Sequence, residues 1–285
     1  MVRRLARRQE AEQAALALLA RGIACRIEAE EQALLLLVAP DQAERASAEL
    51  AAFERENRQP PAEEAAGYAG WAAAWTVTAF LLLMHGVQRR NLLGIGWTEL
   101  GAAEAGSIHE GAWWRAVTAL TLHADDAHLI GNIAAALAFG SILARLLGSG
   151  LAWLAILLIG AAGNLLNAWL HGPGHSAIGA STALFGALGL ITGHRLHGWT
   201  VPWRGGIRRW APLSAGILLL VFLGTGGERT DVGAHVLGFG LGVAAGLPLA
   251  ASAARLPRGP WAQRAYGIVA AACVAIAWLM AWRAA

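Results

Sequence analysis

Seven stretches of this chain are apolar over nearly the length a bilayer demands, and that leaves few folds open to it. They run over residues 68–87, 127–147, 151–170, 177–194, 210–226, 232–251 and 264–282. A membrane-crossing helix needs roughly 17 to 25 such residues, and inside hydrocarbon each backbone N–H and C=O must be satisfied within its own segment. Seven transmembrane helices, in an all-α polytopic membrane domain over residues 68–285, are therefore expected. The composition agrees: 56% of the 285 residues are apolar and only 14% are charged. Between the first two stretches, residues 88–126 are polar and carry Trp97, Trp113 and Trp114. An amphipathic segment of this kind lies in the membrane interface and does not span.

Residues 1–58 read differently. Spacing over 8–20 predicts an amphipathic helix, too interrupted by Glu10, Glu12 and Gln13 for a signal peptide, with Gly22 as its stop. Ile23 to Glu28 alternates and Ala33 to Ala39 is a continuous apolar strand. Asp41 with Glu44 makes a capping-box signature for a helix reaching Asn57. The result is a small soluble αββα domain, followed by a linker over 59–67 marked by Gln59-Pro60-Pro61. Its core is marginal in size, so self-association or a partner for it is expected.

The arginines orient the chain. With residues 1–67 in the cytoplasm, the cytoplasmic loops collect Arg145, Arg195, Arg204, Arg208, Arg209, Arg255, Arg258 and Arg264, while the outside receives Arg89, Arg90, Arg115, Arg229 and Arg283. That is the positive-inside bias. The net charge of +3 is accounted for by topology and gives no reason to invoke nucleic acid. The absence of lysine among 22 basic residues suggests a GC-rich bacterial genome, hence a bacterial inner membrane. Two cysteines, Cys25 and Cys273, are too few for a disulfide framework or a metal site.

Two groups inside the apolar stretches stand out. Ser181 opens the fourth among small residues, which taken alone reads as close helix packing. His235 lies in the sixth, bedded in Gly233, Ala234, Gly238, Gly240 and Gly242. An ionisable group in a bilayer is costly and marks function. Both residues fall near the outer ends of their helices, and a serine hydroxyl needs a base within hydrogen-bond reach to act as a nucleophile. His128 and Asn132, four apart and so stacked on one helix face, are candidates for stabilising a developing oxyanion. Asp231, four residues before His235, reads as the N-cap of the sixth helix and not as a third catalytic member.

These residues resemble the rhomboid family of intramembrane serine proteases. The resemblance is carried by Trp114-Arg115, by the array His123, His128 and Asn132, by Gly179-x-Ser181 and by Ala234-His235-x-x-Gly238. It implies a six-helix catalytic core, about 68–251, with an added C-terminal helix at 264–282, and cleavage of transmembrane segments of single-span proteins without metal or cofactor. It implies Ser181 as nucleophile, His235 as general base, and an oxyanion hole of the Ser181 N–H, His128 and Asn132. It further implies His123 as a structural residue of the first outer loop and Phe185 as the aromatic packed on the catalytic histidine. In one respect the chain departs from the family pattern Gly-x-Ser-Gly, whose last position is Thr182 here. The competing expectation is a rhomboid-like pseudoprotease that binds transmembrane helices without cutting them. A transporter is disfavoured because no internal inverted repeat is visible.

Overall fold

The structure is a computed structural model that describes residues 3–5, 8–30, 33–57, 67–197, 210–224, 231–252 and 255–284. The linker expected over 59–67, apart from Gly67, lies outside the described residues, as do Arg204, Arg208, Arg209, Arg229 and the turn 226–230. The chain divides into two compact units, Met1–Glu64 and Ala65–Ala285.

The first unit contains β1 (Arg3–Leu5), α1 (Arg8–Leu19), β2 (Cys25–Glu30), β3 (Ala33–Val38) and α2 (Ala43–Asn57). The expected αββα order is present with one short strand ahead of it. β3 is central, antiparallel to β1 on one side and to β2 on the other. β1 escaped the pattern because three residues with a single apolar side chain carry no periodicity; its place is decided by backbone pairing, with Leu5 opposite Leu34. Leu18, Ile23 and Leu36 are fully buried and pack with Ala14, Ala15, Ala46 and Leu50. Gly22, at φ +72°, ends α1 as expected. The capping box is a correction: Pro40–Gln42 form a 3₁₀ turn whose N-cap is Ala39, without a side-chain cap. Pro40, with its fixed φ, starts the turn one residue early and leaves Asp41 inside it.

In the second unit, α3 (Gly67–Arg89) is followed by short elements: α4 (Trp97–Gly101), β4 (Ala103–Glu104), α5 (Ala105–His109) and α6 (Arg115–Thr118). None approaches spanning length, in keeping with an interfacial segment. Next come α7 (Asp126–Ala135), a π-helical stretch over Ala136–Gly140, and α8 (Ser141–Leu147), which together form one continuous span. After α9 (Ser149–Leu170), β5 (Ser176–Ala177) pairs antiparallel with β4. The bundle is completed by α10 (Ser181–His197), α11 (Ala211–Gly224), α12 (Val232–Ser252) and α13 (Pro260–Arg283).

Helices thus occupy all seven apolar stretches, and the chain is a multi-pass helical membrane protein. Among the described residues, five spans are long and apolar enough to cross by themselves: Gly70–Arg89, Asp126–Leu147, Ser149–Leu170, Val232–Ser252 and Pro260–Arg283. α10 and α11 are shorter, at 17 and 14 residues. The fourth helix begins at Ser181 and not at 177, because Ser176 and Ala177 are drawn into the β4–β5 pair and Gly179 sits at φ +127°. A helix cannot run through that backbone conformation.

α10 packs most extensively against α12. The approach is so close that a Cβ at Gly238 would collide with the Thr182 carbonyl, and one at Gly242 with the Gly186 carbonyl. Small residues four apart let two membrane helices meet backbone to backbone, and here that seam carries Ser181 and His235 at one end.

Candidate active site

Ser181 is the first residue of α10 and His235 the fourth of α12. Their separation follows from the seam: with the backbones in contact, side chains at matched heights are within hydrogen-bond reach. Ser181 Oγ donates to His235 Nε2 at 2.9 Å. The imidazole is 6% exposed, and Phe185, one turn along α10 from Ser181, lies over it with ring centroids 4.4 Å apart. Ala234 is buried beside it, and Gly238 is the first close contact of the seam.

The backbone before Ser181 is held from outside the helix. The Gly179 N–H donates to the Ala119 carbonyl at 2.9 Å, and β5 pairs with β4. As the first residue of α10, Ser181 has an N–H with no acceptor inside the helix, so it points at whatever occupies the space before the helix. His128 closes that space. A Cβ at Gly179 would sit 2.5 Å from His128 Cε1 and 2.7 Å from Nε2, and 3.6 Å from Ser181 Oγ. Glycine is required at this position both for its φ and because the imidazole lies against its α-carbon.

His128 is placed by the start of α7. The Asp125 carboxylate accepts the His128 N–H at 2.8 Å and caps the helix. One turn further, Asn132 Nδ2 donates one of its two N–H groups to the His128 carbonyl at 3.0 Å, while the side chain is 5% exposed. His123 is completely buried, with its ring edge-on to His128 at 5.3 Å. Burial first, then the His128 and His85 rings nearby, push its pKa down to about 3.

Trp114 and Arg115 stand further off and shape the interfacial segment. Arg115 Nη1 donates to the carbonyls of Glu99 at 2.9 Å and Ala102 at 3.1 Å, and Trp114 packs edge-on against Trp113. Thr182 is 3% exposed at the crossing of α10 with two helices. A Cβ at Gly163 of α9 would come 2.7 Å from Thr182 Cγ2, and one at Gly238 would come 3.3 Å from it. Glycines on both facing helices thus make the room that the threonine takes.

Asp231 is the residue ahead of α12. Its Oδ1 accepts the Ala234 N–H at 2.9 Å, which is an N-cap, while Oδ2 accepts from Asn167 Nδ2 at 2.6 Å and His175 Nε2 at 2.8 Å. Burial raises the carboxyl pKa, but the hydrogen bonds from Ala234, His175 and Asn167 outweigh it and hold the group below the ordinary carboxylate range. Asn167 and His175 were not singled out from sequence, although an amide within an apolar span such as α9 is a signal of its own. The same holds for Asp125, three residues before His128 at a helix start. Among the described residues no group of three His, Cys, Asp or Glu side chains has a metal-holding arrangement.

A multi-pass helical membrane bundle is the architecture the rhomboid resemblance implied. The Rhomboid domain model matches residues 110–252, half of the chain, and the chain belongs to the rhomboid family. Among curated proteins it is similar to Rhomboid protease GluP of Bacillus subtilis (strain 168), 40% identical over 91 residues, which is 32% of this chain and 18% of that protein. It is also similar to two Arabidopsis thaliana proteins. RHOMBOID-like protein 5 is 30% identical over 104 residues, 36% of this chain and 34% of that protein. RHOMBOID-like protein 1 is 30% identical over 126 residues, 44% of this chain and 30% of that protein. The aligned part is therefore about a third or less of each relative's own length.

Proposed function

We propose that this protein is an intramembrane serine endopeptidase that cleaves transmembrane segments of single-span membrane proteins, with Ser181 as nucleophile and His235 as general base. The observation that carries the reading is the 2.9 Å hydrogen bond from Ser181 Oγ to His235 Nε2 inside a membrane bundle. Similarity to a protein named a rhomboid protease supports it.

The chemistry follows from the contacts. Ser181 Oγ attacks the scissile carbonyl carbon as His235 Nε2 takes the hydroxyl proton. The carbonyl oxygen becomes an oxyanion and accepts from the Ser181 N–H, the His128 ring and the Asn132 side-chain amide. When the C–N bond breaks, the imidazolium proton passes to the leaving amine and an ester to Ser181 remains. A water then attacks the ester carbon, His235 takes its proton and returns it to Ser181 Oγ, and the new carboxyl end departs. Phe185 restricts the His235 ring to the orientation this needs. In the proposed topology the N-terminal unit is cytoplasmic, the membrane is the bacterial inner membrane, and Ser181 opens toward its outer face.

The test is cleavage of a single-span test substrate in detergent by the wild type and by Ser181→Ala, with labelling of Ser181 by a serine-directed phosphonate. Cleavage and labelling that both vanish in Ser181→Ala support the protease. Binding of the substrate by a wild type that neither cuts nor labels makes the protein a pseudoprotease instead.

A further inference from the structure

One buried histidine has no part in the chemistry above. His85 lies near the end of α3, is 6% exposed, and sits in a span where an ionisable side chain is costly. With Gln88 and Arg89 it forms an i, i+3, i+4 face that grips the segment leading into α7. Gln88 Oε1 accepts the His123 N–H at 3.1 Å, and His85 Nε2 and Arg89 Nη1 donate to the same Asp126 oxygen at 2.8 and 3.2 Å. A surface pair of Arg89 with Asp126 would need no histidine, so the burial of His85 calls for another reason.

Three imidazoles run from that carboxylate toward Ser181. His85 is edge-on to His123 at 6.3 Å, His123 is edge-on to His128 at 5.3 Å, and the His128 ring lies over Gly179. An ionised carboxylate only accepts, so Nε2 of His85 carries a proton toward Asp126. His85 Nδ1 and both ring nitrogens of His123 are buried with no protein partner among the described residues. Each unmade hydrogen bond in such a place costs about 1 to 3 kcal/mol, and buried water bound to several polar atoms removes that cost. The hydrogen bond made by one imidazole nitrogen decides which nitrogen carries the proton. An oxyanion donor must present N–H and not a lone pair.

We propose that His85 is a positioning residue for His128: it pins the Asp126 turn from which α7 rises and, through water shared with His123, holds the His128 ring in the rotation and tautomer that donate to the oxyanion. This rests on the protease reading and on the oxyanion role of His128.

The experiment is a double-mutant cycle on the full chain in detergent, cleaving a single-span test substrate. His85→Leu lowers kcat about tenfold with KM within about twofold, less than outright loss of an oxyanion donor, because the substrate helix is not touched. His85→Gln, which still donates to Asp126, restores kcat to within about threefold of wild type. In a His128→Ala background, His85→Leu costs less than about twofold, since two residues acting through one function are not additive. Asp126→Ala, a change at an exposed carboxylate, is run in the same cycle and shows the same dependence on His128, so the result does not hinge on folding of His85→Leu. A full loss that persists without His128, or no loss at all, overturns the positioning role. If the wild type itself leaves the substrate intact, the protease reading fails and not this one alone.

Discussion

Replacing Asp231 separates a cap from a catalytic acid, because the contacts of its two carboxylate oxygens are known. Asp231→Asn keeps one oxygen to accept the Ala234 N–H, puts an NH2 where the second oxygen faces Asn167 and His175, and removes the charge. Its two carboxylate oxygens are engaged elsewhere: Oδ1 accepts from the backbone, and Oδ2 accepts from Asn167 and His175. Activity of Asp231→Asn is therefore expected within about tenfold of wild type, against the roughly 10000-fold loss that follows neutralising the acid of a catalytic triad. Asp231→Ala removes more. The lost cap costs about 1 kcal/mol, and leaving the Asn167 amide and His175 ring without their acceptor adds about 1 to 3 kcal/mol. The sum, about 2 to 4 kcal/mol, is to be read from equilibrium unfolding in mixed micelles. The pH dependence has a definite sign. The folded pKa is depressed, so the Asp231 contribution is present above the ordinary carboxylate pKa and is lost as the pH falls through the folded value. Wild type and Asp231→Ala should thus converge in stability in acid. A folded Asp231→Asn protein with activity down by four orders of magnitude would refute this and make Asp231 a third catalytic member.

His128→Ala and Asn132→Ala should each lower turnover about 100- to 1000-fold, while Ser181 still reacts, more slowly, with a phosphonate; wild-type turnover in both would remove the oxyanion role. Thr182→Ser should change little, whereas Thr182→Phe, facing Gly163 and Gly238, should cost about 1 to 3 kcal/mol or more by overpacking. A stable, active Thr182→Phe enzyme contradicts that placement. Reporter fusions should put residue 60 and the loop around Arg208 in the cytoplasm, and the segments near Glu104, Pro173 and Glu228 outside. A cytoplasmic 172–176 loop reverses the proposed topology, because Ser181 would then face the other compartment.

The sequence by itself determined where the membrane helices lie. Hydrocarbon leaves an apolar segment of that length no structure but a helix, whatever its neighbours do, and the seven stretches could be read to within a few residues. It also determined the pairing of Ser181 with His235 as a candidate, since polar groups in lipid are too costly to be incidental. What the tertiary structure decided lies wherever a partner is distant in the chain. The fourth helix starts at Ser181 because Gly179 is bonded to Ala119 and β5 to β4, contacts 60 or more residues apart that no local pattern encodes. Thr182 is accommodated by Gly163 and Gly238, each on a different helix. β1 is a strand only because β3 offers it an edge, and Asp41 fails as a cap only because Pro40 begins the turn first. Asp231 could be read as a cap, whose acceptor geometry is local, but its bonds to Asn167 and His175 could not. Local patterns report hydrophobicity and backbone preference within a few residues, while the hydrogen bonds that orient a site are chosen by which helices the fold brings together.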